Sequence, residues 1–182
     1  SGEIAALKVD NGRQLWIDSL ASRRRTDATA ALAHIRANPV IDRGRVFAIS
    51  NSGLMVSIDL RTGQRVWDKD IGGHQSIWVA GDYLFTLTDN EELAALERVT
   101  GRWVWVTPLP RWQNPDARGG VIVWTGPLRV SDRLIVASSD GVAVAVSPYS
   151  GKILGTEDMP DSVSVPPIVA GETVYFLADD AT

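Results

Sequence analysis

The sequence predicts an all-β fold, a partial β-propeller of four-stranded antiparallel blades, and two recurring segments predict it. The first is a hairpin frame whose clearest copy is Gly53-Leu-Met-Val-Ser-Ile-Asp59-Leu-Arg-Thr-Gly63-Gln-Arg-Val-Trp67. The same frame runs from Gly2 through Gly12 to Trp16 and from Glu91 through Gly101 to Trp105. A decayed copy from Gly141 to Gly151 carries Gly155 where the others have tryptophan. Each copy reads as an apolar strand, a four-residue turn whose glycine takes positive φ, and a second strand ending in a large aromatic.

The second recurring segment lies upstream of the complete copies. Pro39-Val-Ile-Asp-Arg-Gly44-Arg-Val-Phe-Ala-Ile-Ser50 is echoed by Ile77 to Thr88, Pro127 to Ser138 and Pro167 to Leu177. Two hairpins in series make a four-stranded meander, which is the blade of a propeller. The turn glycines Gly12, Gly63, Gly101 and Gly151 are 51, 38 and 50 residues apart. The shortest interval lies close to the roughly 40–45 residues of known blade repeats.

The blades follow in order as a half-blade over 1–19, complete blades over 38–72, 76–108 and 124–158, and a half-blade over 165–182. Insertions at 20–37 and 108–123 join the last strand of one blade to the first of the next. Strand direction alternates, so both insertions emerge at the same end of the blades. The chain is expected to open and close inside a repeat, which makes it part of a larger disc.

Composition narrows the function. The net charge of −4 argues against tracking nucleic-acid phosphates, which requires a basic stripe. With no cysteine, disulfides, thiolate metal sites and a cysteine nucleophile are excluded within these residues. No apolar run approaches the ~20 residues of a membrane-spanning helix.

The repeated Trp16, Trp67 and Trp105 are expected to wedge between blades, where large aromatics dominate core burial, rather than to stack on a quinone or sugar. Neither His34 nor His74 sits in a metal spacing or a nucleophile elbow. Asp89, Glu91, Glu92, Asp179 and Asp180 gather at strand ends, where turns use carboxylates for local hydrogen bonds.

The insertions carry the candidate binding residues, because long loops on a rigid scaffold are where binding concentrates. They hold Arg23, Arg24, Arg25, His34 and Arg36 in the first, and Arg111 and Trp112 in the second. Together they carry a net +4 against −8 for the remainder, a field that steers an acidic partner toward one face. Asp27 is placed to cap a short helix reaching Arg36, and Trp112, between prolines, reads as either a packing plug or an interface anchor.

The Asp59 to Trp67 frame resembles the PQQ-type propeller repeat, and Asn38 to Ile71 resembles the BamB family of outer-membrane protein assembly lipoproteins. The likeness rests on Asn38-Pro39-Val40-Ile41, Val46-Phe47-Ala48-Ile49, Asn51-Ser52-Gly53 and Leu60-Arg61-Thr62-Gly63-Gln64, and continues more loosely through Val79 to Asp82, Trp105 and Pro167 to Ala178. It implies an eight-bladed periplasmic propeller, tethered to the outer membrane through a lipidated cysteine upstream, without a cofactor. It implies a non-catalytic scaffold that binds BamA, with unfolded outer-membrane proteins as further partners. The loop ahead of Pro39, which tends to be acidic in the family, here carries arginines. Two alternatives stand beside this reading: a fragment of a PQQ-dependent dehydrogenase, and a ligand-sensing propeller with a polar pocket on its axis.

Overall fold

The computed structural model describes residues 2–20 and 35–180, and every regular element among them is a strand. Three sheets have four strands each. They are β3 (Val40–Asp42) to β6 (Arg65–Lys69), β7 (Trp78–Ala80) to β10 (Trp103–Pro108), and β13 (Trp124–Val130) to β16 (Ile153–Asp158). Between these bounds lie β4 (Arg45–Ser50) and β5 (Leu54–Asp59), β8 (Tyr83–Leu87) and β9 (Glu92–Glu97), and β14 (Arg133–Ser138) and β15 (Val142–Val146). Each is a sequential antiparallel meander. Two-stranded sheets, β1 (Glu3–Leu7) with β2 (Gln14–Ser19) and β17 (Ile168–Ala170) with β18 (Thr173–Tyr175), stand before and after them.

The middle strands explain the core. Side chains of a strand alternate between the two faces of its sheet. Along β4, Val46 and Ala48 pack toward Ile4, Trp16 and Leu20, whereas Phe47 and Ile49 pack toward Leu84, Ala94 and Leu96. Along β9 the same split sends Ala94 and Leu96 to one side and Leu93 and Ala95 to the other. Both faces of these strands are therefore apolar, and each of the three seams between β1–β2 and β13–β16 has its own core. The fourth strands are less buried: β6 alternates, with Val66 exposed between the partly buried Arg65 and Trp67, and β16 is exposed throughout.

The hairpin frame folds the same way in all four copies. The N–H groups of Gly12, Gly63, Gly101 and Gly151 donate to the carbonyls of Lys8, Asp59, Glu97 and Ser147 at 2.8–2.9 Å. All four glycines have φ near +70°, as the turn requires. A register shift follows in each hairpin. The tryptophans do not end their strands as expected. Trp16, Trp67 and Trp105 are each the third residue of theirs, opposite the small residues Ala6, Ser57 and Ala95. Gly155 holds the same place in β16, opposite Ala145.

The insertion at 108–123 is a further hairpin, β11 (Trp112–Asn114) with β12 (Gly119–Val121). The other insertion, including Arg23, Arg24, Arg25, His34 and the expected helix from Asp27, lies outside the described residues up to residue 34.

Candidate functional site

The two ends of the blades are built differently. At one end lie the turns of both repeated hairpins, and there the tryptophans lock adjacent sheets. The Trp16 indole N–H donates to the Leu60 carbonyl at 2.9 Å, Trp67 to Arg98 at 3.1 Å and Trp105 to Pro148 at 3.0 Å. Each ring also covers the turn glycine of the next sheet. A Cβ on Gly63 would stand 2.4 Å from the Trp16 ring, and one on Gly101 2.8 Å from that of Trp67. A Cβ on Gly151 would stand 2.7 Å from the Trp105 ring. The tryptophans thus join blades, and Gly63, Gly101 and Gly151 are needed twice, for positive φ and for ring contact.

The first of these seams is tied by a pair that the repeat pattern does not mark. Arg65 grips both carboxylate oxygens of Asp18, at 2.7 and 3.0 Å, and donates to the Ser19 carbonyl. The carboxylate raises the Arg65 pKa above its ordinary value against the opposing effect of burial. No short-range signal announces a pair 47 residues apart.

The other end carries the insertions. Leu20, fully buried, begins the first, and its carbonyl accepts hydrogen bonds from the Ser50 and Ser52 hydroxyls at 3.1 and 2.8 Å. Arg36 is exposed beside buried Ala37 at the far end of the same insertion. The second insertion is held at its base. Leu109 and Ile122 join the core beneath it, the Trp124 indole donates to the Pro110 carbonyl at 2.8 Å, and Ile122 N–H donates to the Arg111 carbonyl at 2.9 Å.

On that base Arg111 lies with its Nε 3.5 Å from a Glu91 carboxylate oxygen and its guanidinium 5.4 Å from the centre of the Trp112 ring. Trp112 is partly buried. The Gln113 amide fixes the hairpin to Asp140 at 2.8 Å. Arg111 and Trp112 therefore form one unit, while Arg36 stands two blades away along the chain at the same end.

Carboxylates at this end satisfy local donors. The Ser162 and Ser164 hydroxyls both donate to Asp179, at 2.6 and 2.7 Å, and hold its carboxyl below the ordinary value of 3.8. Asp89 faces His74 Nδ1 at 3.4 Å. At the opposite end Asp59 accepts from the hydroxyl and N–H of Thr62, which lower its pKa.

The sheets and their tryptophan locks define a class, the propellers built from PQQ-like repeats. Within it, the family model described as outer membrane protein assembly factor BamB matches residues 1–107, and the chain belongs to that family. It is 23% identical over 181 residues to the outer membrane protein assembly factor BamB of Alkalilimnicola ehrlichii, covering 99% of this chain and 45% of that protein. The crystal structure of BamB from Moraxella catarrhalis superposes with a TM-score of 0.81 at 19% identity, over 99% of this chain and 51% of that one. A quinohemoprotein alcohol dehydrogenase, ADHIIG from Pseudomonas putida HK5, has a TM-score of 0.68 at 18% identity, over 96% of this chain and 35% of its own. The chain spans about half the length of the BamB proteins it matches.

Proposed function

We propose that this chain is part of a non-catalytic scaffold for assembling β-barrel proteins in the outer membrane, and that it docks BamA through the insertion end of its blades. The observation that carries the docking surface is the braced hairpin at 108–123, which breaks the repeat yet is fixed to the core by Leu109, Ile122 and Trp124. Rigid scaffolds present binding loops in this way. Arg36, Arg111 and Trp112 share its end, with Arg23, Arg24, Arg25 and His34 supplied by the preceding insertion. A family of assembly factors supports a scaffold over an enzyme, as does the smaller share of the dehydrogenase that the chain covers. The reading includes an eight-bladed disc in the periplasm, a lipid anchor upstream, and unfolded barrel proteins as further partners.

Binding of the full-length protein to the immobilised periplasmic part of BamA, measured across a salt series, tests it. Replacing Arg23, Arg24, Arg25 and Arg36 with alanine slows association and leaves stability within about 0.5 kcal/mol, since rim charges act mainly through steering. The wild-type on-rate falls as salt rises, exposed charges being screened over about 8–10 Å. An on-rate unchanged in the quadruple variant removes the arginines from the docking surface. Saturable binding of pyrroloquinoline quinone and calcium, with alcohol oxidation, favours the dehydrogenase reading instead.

A further inference from the structure

At the turn end, the seam between the β3–β6 and β7–β10 sheets is closed by charged side chains. Arg98 approaches Asp42 at 3.6 Å and Asp82 at 3.9 Å, and Arg45 donates to the Val99 carbonyl at 2.9 Å. At the next seam the repeat places Pro148 where Arg98 stood, Ala80 in place of Asp42 and Tyr83 in place of Arg45. None of the three can form an ion pair, and a cleft of about 260 Å³ remains, lined by Asp82, Tyr83, Phe85, Arg129, Pro148 and Tyr149.

Three features give this cleft a chemistry. Tyr83 and Tyr149 are 41% and 72% exposed, so apolar ring surface is open to a ligand. The Arg129 side chain has no hydrogen-bond or ion-pair partner among the described residues, and its Nε is buried without an acceptor. Arg129 is therefore the cationic lining residue that no protein acceptor holds, and an acceptor entering the cleft meets its guanidinium. Asp82, the carboxylate in the cleft, faces Arg43 at 3.4 Å and Arg98 at 3.9 Å, and is not paired with Arg129.

The volume lies below the roughly 300–1,000 Å³ of small-molecule sites and suits one or two side chains of a polypeptide. A single uncompensated guanidinium among aromatic rings matches one carboxylate, which arginine binds through paired hydrogen bonds. We propose that this cleft binds a short acidic peptide segment, with an Asp or Glu carboxylate on Arg129 and the adjoining apolar side chain against Tyr83 and Tyr149. The site is at the opposite end of the blades from the insertions and does not depend on the BamA reading.

The test titrates the full-length protein with acetyl-Asp-Leu-amide and with its uncharged counterpart acetyl-Asn-Leu-amide, following the Arg129 Nε–H and tyrosine ring signals by NMR. The expected result is a saturable shift with the aspartyl peptide and binding roughly tenfold weaker with the asparaginyl one, the worth of a charge-assisted hydrogen bond. Arg129→Gln brings the aspartyl peptide down to the weaker level, and Tyr149→Ala weakens both peptides several-fold. Equal affinity for the two peptides overturns the proposal, as does the lack of saturation at millimolar concentrations. Should Arg129→Gln fail to fold, Tyr149→Ala decides, because its ring is exposed; unchanged affinity in that variant overturns the proposal.

Discussion

At the seam crossed by Trp67, the ring lies on Gly101, its N–H is bound by the Arg98 carbonyl, and the Arg98 side chain turns back toward Asp42 and Asp82. At the seam crossed by Trp105, the ring lies on Gly151 and the Pro148 carbonyl takes the N–H. There the Thr107 hydroxyl adds a 2.6 Å bond to the Gly151 carbonyl, and no side chain among the described residues reaches back as Arg98 does. The lock is the same and its surroundings are not. The shared part uses main-chain carbonyls and a glycine, which any copy of the frame supplies. The variable part uses side chains at positions that the lock leaves unconstrained, and these decide whether a seam is sealed by charge or opens into a cleft.

The largest effect is expected where the lock is blocked. Gly101→Ala must displace the Trp67 ring and also hold a non-glycine residue at positive φ, so it costs about 5 kcal/mol, near the sum of an emptied aromatic site and left-handed strain. Gly12→Ala has the same φ with nothing within 4 Å of the new Cβ, so only strain of about 1–2 kcal/mol remains. Denaturant melts of the two variants measure the difference. Equal losses would show that ring contact adds nothing to the turn.

Removing the ring comes next. Trp67→Ala and Trp105→Ala each cost roughly 3–5 kcal/mol, the range for emptying a packed aromatic site. Denaturant melts showing less than about 1 kcal/mol for either would separate the two seams and leave that tryptophan out of the core.

The charged closure is worth less. Asp42→Ala leaves Arg98, whose side chain is 10% exposed and whose Nε is already unpaired, with a weaker partner, at a cost of about 1–2 kcal/mol. Arg98→Met replaces the charge with an apolar chain and changes stability by less than about 1 kcal/mol, because burying an ion pair returns little net energy. A double-mutant cycle across Asp42 and Arg98 in urea checks both values.

The smallest effect is a pH dependence at the insertion end. The depressed pKa of Asp179 means that its stabilising contribution is fully present above the ordinary carboxylate value of 3.8 and is lost as pH falls through the lowered one. The Ser162→Ala, Ser164→Ala double variant should therefore melt below the wild type at neutral pH, with the two curves converging in strong acid. Parallel melting curves across the whole range would show that the hydroxyls do not tune this carboxyl.

Much of this fold is legible in the sequence, because its information is local. A four-residue turn with a glycine at positive φ and an amide bond four residues back is specified within one short segment, and it recurs at Gly12, Gly63, Gly101 and Gly151. The continuous apolar runs Val46-Phe47-Ala48-Ile49 in β4 and Leu93-Ala94-Ala95-Leu96 in β9 likewise announce strands buried on both faces. The candidate face was legible only as a break in the repeat. Arg111 and Trp112 could be named, whereas the hairpin that carries them was signalled only by the turn residues between Asn114 and Gly119.

The tertiary structure alone decided which distant residues meet. Trp16 finds Gly63, Arg65 finds Asp18, and Arg129 is left beside Tyr83 and Tyr149. Those outcomes depend on how one twisted sheet sits against the next, and side-chain partners 40 or more residues apart follow from that packing rather than from any pattern along the chain.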